Sequence, residues 1–146
     1  MTKLNPTDFS NCTCANLRKA TRVVTQSYNA ALKPTGLKAT QFTMLATLAS
    51  TGEMPLTRLA EVLVVDRTTL TRNLKPLERD GLIRTDAEED QRVRMVGLTD
   101  AGMSAFEKAQ PYWTEAQSRI VTAFGEARWS NFIADLTKTV ASSRGA

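Results

Sequence analysis

The chain has 146 residues, 42% hydrophobic and 23% charged, a balance that fits one globular domain and excludes a disordered or membrane-spanning polypeptide. Residues Met1 to Pro6 hold no apolar signal core, and no stretch approaches the roughly 18 apolar residues of a membrane helix, so a cytoplasmic protein without a membrane partner is expected. The net charge of +4 and pI of about 9.3 admit a nucleic-acid partner without locating it: residues 1 to 40 carry six Lys/Arg against Asp8 alone, whereas residues 56 to 98 carry eight charges of each sign.

Asn11 is placed to cap a first helix running to about Lys33, with Leu17, Ala20, Val24, Tyr28 and Ala31 along one face, and Pro34 and Gly36 end it. Thr40 then caps a second helix that turns Phe42, Leu45, Leu48 and Ala49 inward and closes at Gly52. Pro55 opens a short third helix whose stripe is Leu56, Leu59, Ala60 and Leu63. A fourth helix runs from an Asp66 cap to about Asp80, and Leu70, Leu74 and Leu77 at i, i+4 and i+7 fasten it to the body.

Gly81 stops that helix, and Leu82 to Thr85 and Arg92 to Leu98 read as two strands joined by the polar loop Asp86 to Gln91. Thr99 and Asp100 cap a fifth helix carrying Met103, Phe106, Trp113, Ile120, Val121 and Phe124, with Pro111 expected to kink it. After Gly125 a last helix bears Trp129, Phe132, Ile133, Leu136 and Val140. The expected fold is therefore mainly α with a small β-hairpin wing. A winged helix-turn-helix core occupies about 40 to 99, flanked by helices at about 11 to 33 and 100 to 142, all in one domain spanning 1 to 146.

The face of the fourth helix opposite its leucines carries Thr68, Arg72, Lys75 and Arg79 at the same spacing, with Arg67 and Thr71 beside them. A B-form major groove admits one α-helix, arginine forks to guanine, and threonine touches a base edge or a thymine methyl. Thr68, Arg72 and Lys75 suit base contact, with Thr71 also expected at the DNA, while Arg67 and Arg79 at the ends suit phosphates. Arg92 and Arg94 lie two apart on one strand and point the same way, toward a minor groove. The acidic tip Glu88-Glu89 repels phosphate and belongs in water, whereas Asp90 suits an intramolecular arginine partner.

In this order and spacing, Leu59-Ala60, Asp66 to Arg72, Leu77 to Ile83, Asp90-Gln91-Arg92 and Leu98 to Gly102 make the chain resemble the MarR family of bacterial regulators over nearly its whole length. The resemblance implies a homodimer built from the first and last helices, bound to a pseudo-palindromic stretch of double-stranded DNA. It also implies that Asp90 supports the wing while Arg92 enters the minor groove. Two residues depart from the pattern. Val64 stands in the helix-turn-helix turn where glycine is common, and Pro76 inside the fourth helix removes a backbone hydrogen bond and should bend it. The flanking helices also hold more apolar residues than one thin module can cover, an independent reason to expect a second copy.

Cys12 and Cys14 are one residue apart and cannot close a stabilising loop; near a helix N-terminus, with Arg18 and Lys19 following, they are either redox-sensing thiols or two small partly buried residues. Tyr28, Tyr112 and Trp113, with Trp129, are either the lining of a pocket for a small aromatic effector or ordinary helix packing. With no histidine, no glycine-rich phosphate loop and no serine or cysteine beside an evident base, neither an enzyme nor a cofactor or metal site is expected. The reading is a repressor released by a small ligand or an oxidant. Its rival is a winged helix used only for protein contacts.

Overall fold

A computed structural model describes residues 3–87 and 93–144. After a 3-10 turn at Phe9–Asn11 come helix α1 (Thr13–Leu32), a second 3-10 turn (Lys33–Thr35), α2 (Ala39–Thr51), strand β1 (Met54–Pro55), α3 (Leu56–Leu63) and α4 (Arg67–Arg79). Strands β2 (Ile83–Ala87) and β3 (Arg94–Leu98) precede the long helix α5 (Asp100–Phe124) and the last helix α6 (Glu126–Ser143). The expected order of helices and hairpin is present, and the hairpin belongs to a three-stranded antiparallel sheet of order β1-β3-β2.

Local chemistry sets several boundaries differently from expectation. Asn11 does not cap α1. It ends a 3-10 turn capped by Asp8, and its amide donates back to the Asn5 carbonyl at 2.9 Å. Cys12 takes the cap position with no side-chain bond to the helix. Thr40 lies inside α2, not at its cap, because the cap falls two residues earlier at Lys38, whose N–H donates to Gln41 Oε1 at 2.9 Å. The next orphan N–H, of Ala39, donates to Asn29 Oδ1 on α1 at 2.7 Å, so one helix satisfies the start of another. Met54–Pro55, expected only to open a helix, also pairs with Val96 and Met95 on β3. Two residues are too few to show a period, and the partner is forty residues away. The outer hairpin strand extends to Ala87, past the expected loop boundary, because Asp86 and Ala87 pair with Met95 and Arg94.

The core lies where α2, α3, α4, the sheet and the first half of α5 meet. Leu45, Leu59, Leu70, Leu77 and Val96 are fully buried there, and Phe42 stacks on Trp113 at 5.7 Å and tilts against Phe106 at 5.5 Å. Trp113 is thus part of this packing. Gly102, at the start of α5, permits close approach to the strand below: a Cβ there would collide with the Leu82 carbonyl and lie 2.7 Å from Leu98 Cδ1. Thr99 joins the same seam by accepting from Gly102 N–H at 3.0 Å and donating to the Gly81 carbonyl at 2.6 Å.

Beyond this core, α5 packs against α1, α2 and α6, but α6 buries no residue of its own. No described helix is long and apolar enough to cross a membrane.

Candidate nucleic-acid interface

The turn between α3 and α4 is closed by Val64 N–H to the Glu61 carbonyl at 3.2 Å and Val65 N–H to the Ala60 carbonyl at 3.0 Å. That pattern requires a left-handed residue between them, and Val64 adopts it, with φ 55° and ψ 48°. A β-branched side chain is strained in this region, so valine here takes a conformation that favours glycine, at a cost of about 1 kcal/mol or more.

Asp66 then starts α4 as expected: its carboxylate accepts from Thr69 N–H at 2.8 Å and from Thr69 Oγ1 at 2.7 Å. Those two bonds hold the carboxyl below the ordinary aspartate range. Leu70, Leu74 and Leu77 point inward, which fixes the helix's rotation and leaves Arg67, Thr68, Arg72, Lys75 and Arg79 exposed. Arg67, Thr68, Thr71, Arg72 and Lys75 come together around a shallow cleft of about 450 Å³. Among the described residues, Arg67, Arg72 and Lys75 enter no ion pair, so their charge is available to a ligand. Arg79 stands apart at the helix end, where its Nε lies 3.4 Å from Asp80.

α4 continues through Pro76 to Arg79. Proline has no N–H to give to the Arg72 carbonyl, yet the helix runs on past it, and Asp80 N–H at its C-cap donates to the Pro76 carbonyl at 3.0 Å. Gly81, at φ 72°, ends the helix by donating to the Glu78 carbonyl, while Leu82 N–H reaches the Leu77 carbonyl at 2.9 Å.

This double closure launches β2 directly from the end of α4, so the wing starts beside the basic helix. Arg94 is exposed at the first position of β3, opposite Ala87. Asp90 and Arg92 lie outside the described residues. Two contacts that the sequence reading missed connect the wing to its surroundings. Thr85 Oγ1 donates to Glu78 Oε1 on α4 at 2.8 Å, and Arg84 reaches Glu53 across the sheet at 3.3 Å. Alternation along β2 marks Arg84 and Thr85 as opposite-facing, but only the register reveals their partners.

The remaining candidates lie on the helices outside this module. Cys12 and Cys14 are exposed free thiols in the single chain; Asn16 steadies the segment by donating to the carbonyls of Cys12 at 2.8 Å and Ser10 at 2.9 Å. The three aromatic candidates do not share one pocket. Tyr28 and Trp113 line a cleft of about 210 Å³ between α1, α2 and α5, whereas Tyr112 lines a separate open groove with Pro34 and Lys108. Tyr28 donates its hydroxyl to Gln117 on α5, and partial burial raises its phenol above the usual value. Trp129 lines a longer apolar groove of about 380 Å³ between α1, α5 and α6.

Two tandem helices, the second with an exposed basic face, and a hairpin fixed beside it define a winged helix-turn-helix. Residues 37–93 match the model of the MarR family. The chain is 32% identical over 108 residues to the organic hydroperoxide resistance transcriptional regulator of Bacillus subtilis, covering 73% of this chain and 74% of that protein. It superposes on the M. tuberculosis transcriptional regulator MosR in complex with DNA with TM-score 0.81 and 38% identity, over 92% of this chain and 99% of that one. A mutant of Escherichia coli MarR complexed with operator DNA shares the fold, with TM-score 0.80 and 20% identity over 93% of this chain and 99% of the other. The chain belongs to the MarR family of transcription regulators, and it is not an enzyme.

Proposed function

We propose that this protein is a cytoplasmic repressor that binds a pseudo-palindromic operator as a homodimer and lets go when oxidised or when a small ligand binds. The observation that carries the reading is the unpaired cluster Arg67, Arg72 and Lys75 on the outward face of α4, held beside a wing that presents Arg94. In a major groove, Thr68, Thr71, Arg72 and Lys75 meet base edges, and Arg67 and Arg79 bind phosphates. Arg92 and Arg94 follow the wing to the minor groove, with Asp90 supporting it. The M. tuberculosis relative in complex with DNA supports the DNA-binding part of the reading.

The second copy has a physical reason. Phe132 and Ile133 on α6 are 36% and 42% exposed in the single chain and line the same groove as Trp129, and Val140 further along the helix is 42% exposed. Covering that face with its two-fold mate pairs two recognition helices on one side of a duplex. Oxidant sensing has support in the exposure of Cys12 and Cys14 and in the hydroperoxide-resistance relative. Of the aromatic candidates, Tyr28 and Trp113 share the cleft between α1, α2 and α5 that a small ligand would enter.

Binding measured against salt tests the central part. If each subunit neutralises three or four phosphates, log K against log salt has a slope of about −5 to −7 for the dimer. Arg72→Ala should cost about 1–3 kcal/mol and change the preferred sequence. A slope near zero, or no duplex retained at low salt, would leave a winged helix used for protein contacts. For the signal, peroxide should release wild type but not a Cys12→Ser/Cys14→Ser double variant. Release that survives the double substitution removes the thiols from the mechanism.

A further inference from the structure

We propose that Arg84 is a positioning residue for DNA binding, a clamp that fastens the outer strand of the wing to the start of the helix-turn-helix. The proposal rests on the reading of the chain as a DNA-binding regulator. Arg84 on β2 pairs with Gly97 on β3, and the register of Met54 with Val96 sets Glu53, just before β1, opposite Gly97 on its other side. Glu53, Gly97 and Arg84 therefore form one row across the sheet, on one face. The middle position is a glycine, which leaves a trough between the two charged edges.

Arg84 lies along that trough. A Cβ added to Gly97 would sit 3.1 Å from Arg84 Cζ and 3.1 Å from Nη2. The guanidinium uses three of its nitrogens at once. Nη2 donates to Glu53 Oε2 at 3.3 Å, Nη1 to the Leu98 carbonyl at 3.1 Å, and Nε to Asp86 Oδ2 at 3.3 Å, two residues along the same strand face. Lysine, with one ammonium at the end of a flexible stem, cannot reproduce this fork.

The clamp joins two parts that are not paired directly. Among the described residues the backbone of β2 pairs with β3 and not with β1, while β1 runs straight into α3, the helix that braces α4. On the opposite face of β2, Thr85 is tied to Glu78 of α4. Arg84 and Thr85 thus hold the wing from both faces, and together they fix its angle to the recognition helix. A wing that rocks must be ordered at the moment of binding, which weakens affinity without removing any contact to DNA. Because Arg84 is already engaged with two carboxylates and a carbonyl, its effect runs through the wing and not through a phosphate.

The test exploits the sign of a charge effect. Gly97→Ala, Glu53→Gln, Arg84→Lys and Arg84→Ala are made in the full chain and titrated by fluorescence anisotropy against a duplex that wild type retains, at several salt concentrations. Gly97→Ala changes no charge and should weaken binding about three- to five-fold, with an unchanged salt slope. Glu53→Gln should weaken it by a similar factor, although removing a negative charge beside DNA would by itself tighten it. Arg84→Lys should fail to restore wild-type affinity, and β2 amides should exchange hydrogen faster in Gly97→Ala. Glu53 is exposed at the sheet edge, so its variant keeps the test valid if Gly97→Ala does not fold. Binding by Glu53→Gln as tight as wild type or tighter overturns the clamp, and a slope reduced by about 1.8 in the Arg84→Ala dimer, about 0.9 for each subunit, makes Arg84 a phosphate contact instead. Failure of wild type to retain any duplex overturns the DNA-binding reading, and the clamp with it.

Discussion

The helix-turn-helix with its sheet and the outer helices α1 and α6 both carry apolar stripes, sharper in the former, yet they bury them differently. Leu70, Leu74 and Leu77 of α4 are all buried within the chain, whereas α6 buries none of Trp129, Phe132, Ile133, Leu136 or Val140. The first region completes its core from local partners and one long-range strand. The second leaves its apolar face open in the single chain, and the proposed two-fold mate would cover it with a surface of the same chemistry. The difference teaches that an amphipathic pattern specifies burial without specifying the molecule that provides it.

The contrast is broken most strongly at the outer helices. Ile133→Asp, which puts a charge in the uncovered groove, should yield a monomer and cost about 100-fold or more in operator affinity, because two linked recognition helices bind as one ligand. Sedimentation together with anisotropy checks it, and a dimer that persists with full affinity contradicts it. Within the helix-turn-helix region, Leu77→Ala should lose about 2–5 kcal/mol and Gly102→Ala about 3 kcal/mol, the former from a cavity and the latter from the collision with Leu82. Denaturant melts at two protein concentrations sharpen the comparison. Losses in the core should be the same at both, while Ile133→Ala should matter more where the dimer forms.

The smallest effects lie in the turn and cap of α4. Val64→Gly relieves a left-handed valine and should raise stability by up to about 1 kcal/mol; the unchanged or lowered midpoint of a glycine variant would show that the turn is not strained. Asp66 has its carboxyl depressed by the Thr69 bonds, so its contribution is complete above the ordinary aspartate value near 3.9 and is lost as pH falls through the lower folded value. Wild type should therefore lose stability more steeply in that acid range than Asp66→Asn, whose amide oxygen keeps the cap at every pH.

What was legible in the sequence was what neighbouring residues decide. Asp66 and Thr99 act as the caps they resemble, the leucines of α4 face inward, and the hairpin follows Gly81 directly. The basic face of α4 came with them, since helical spacing fixes both faces together. What stayed hidden depended on partners distant in the chain. Asn29 caps α2 from α1, Met54–Pro55 become a strand only because β3 lies alongside, and Glu53 meets Arg84 only through the register of three strands. Tyr112 and Trp113 are adjacent in sequence, but one points into the core beside Phe42 and the other into an outer groove. A stripe of aromatics could not separate those fates, because consecutive helical residues diverge by about 100° and each meets a different neighbour.

The most direct measurement is selection of bound sequences from a random duplex pool by the purified wild-type chain. A dimer that places one α4 in each of two major grooves should enrich an inverted repeat whose half-sites are about one helical turn apart, centre to centre, and Arg72→Ala should alter the enriched bases symmetrically in both halves. Enrichment of a lone half-site, or of nothing above the starting pool, would contradict the account.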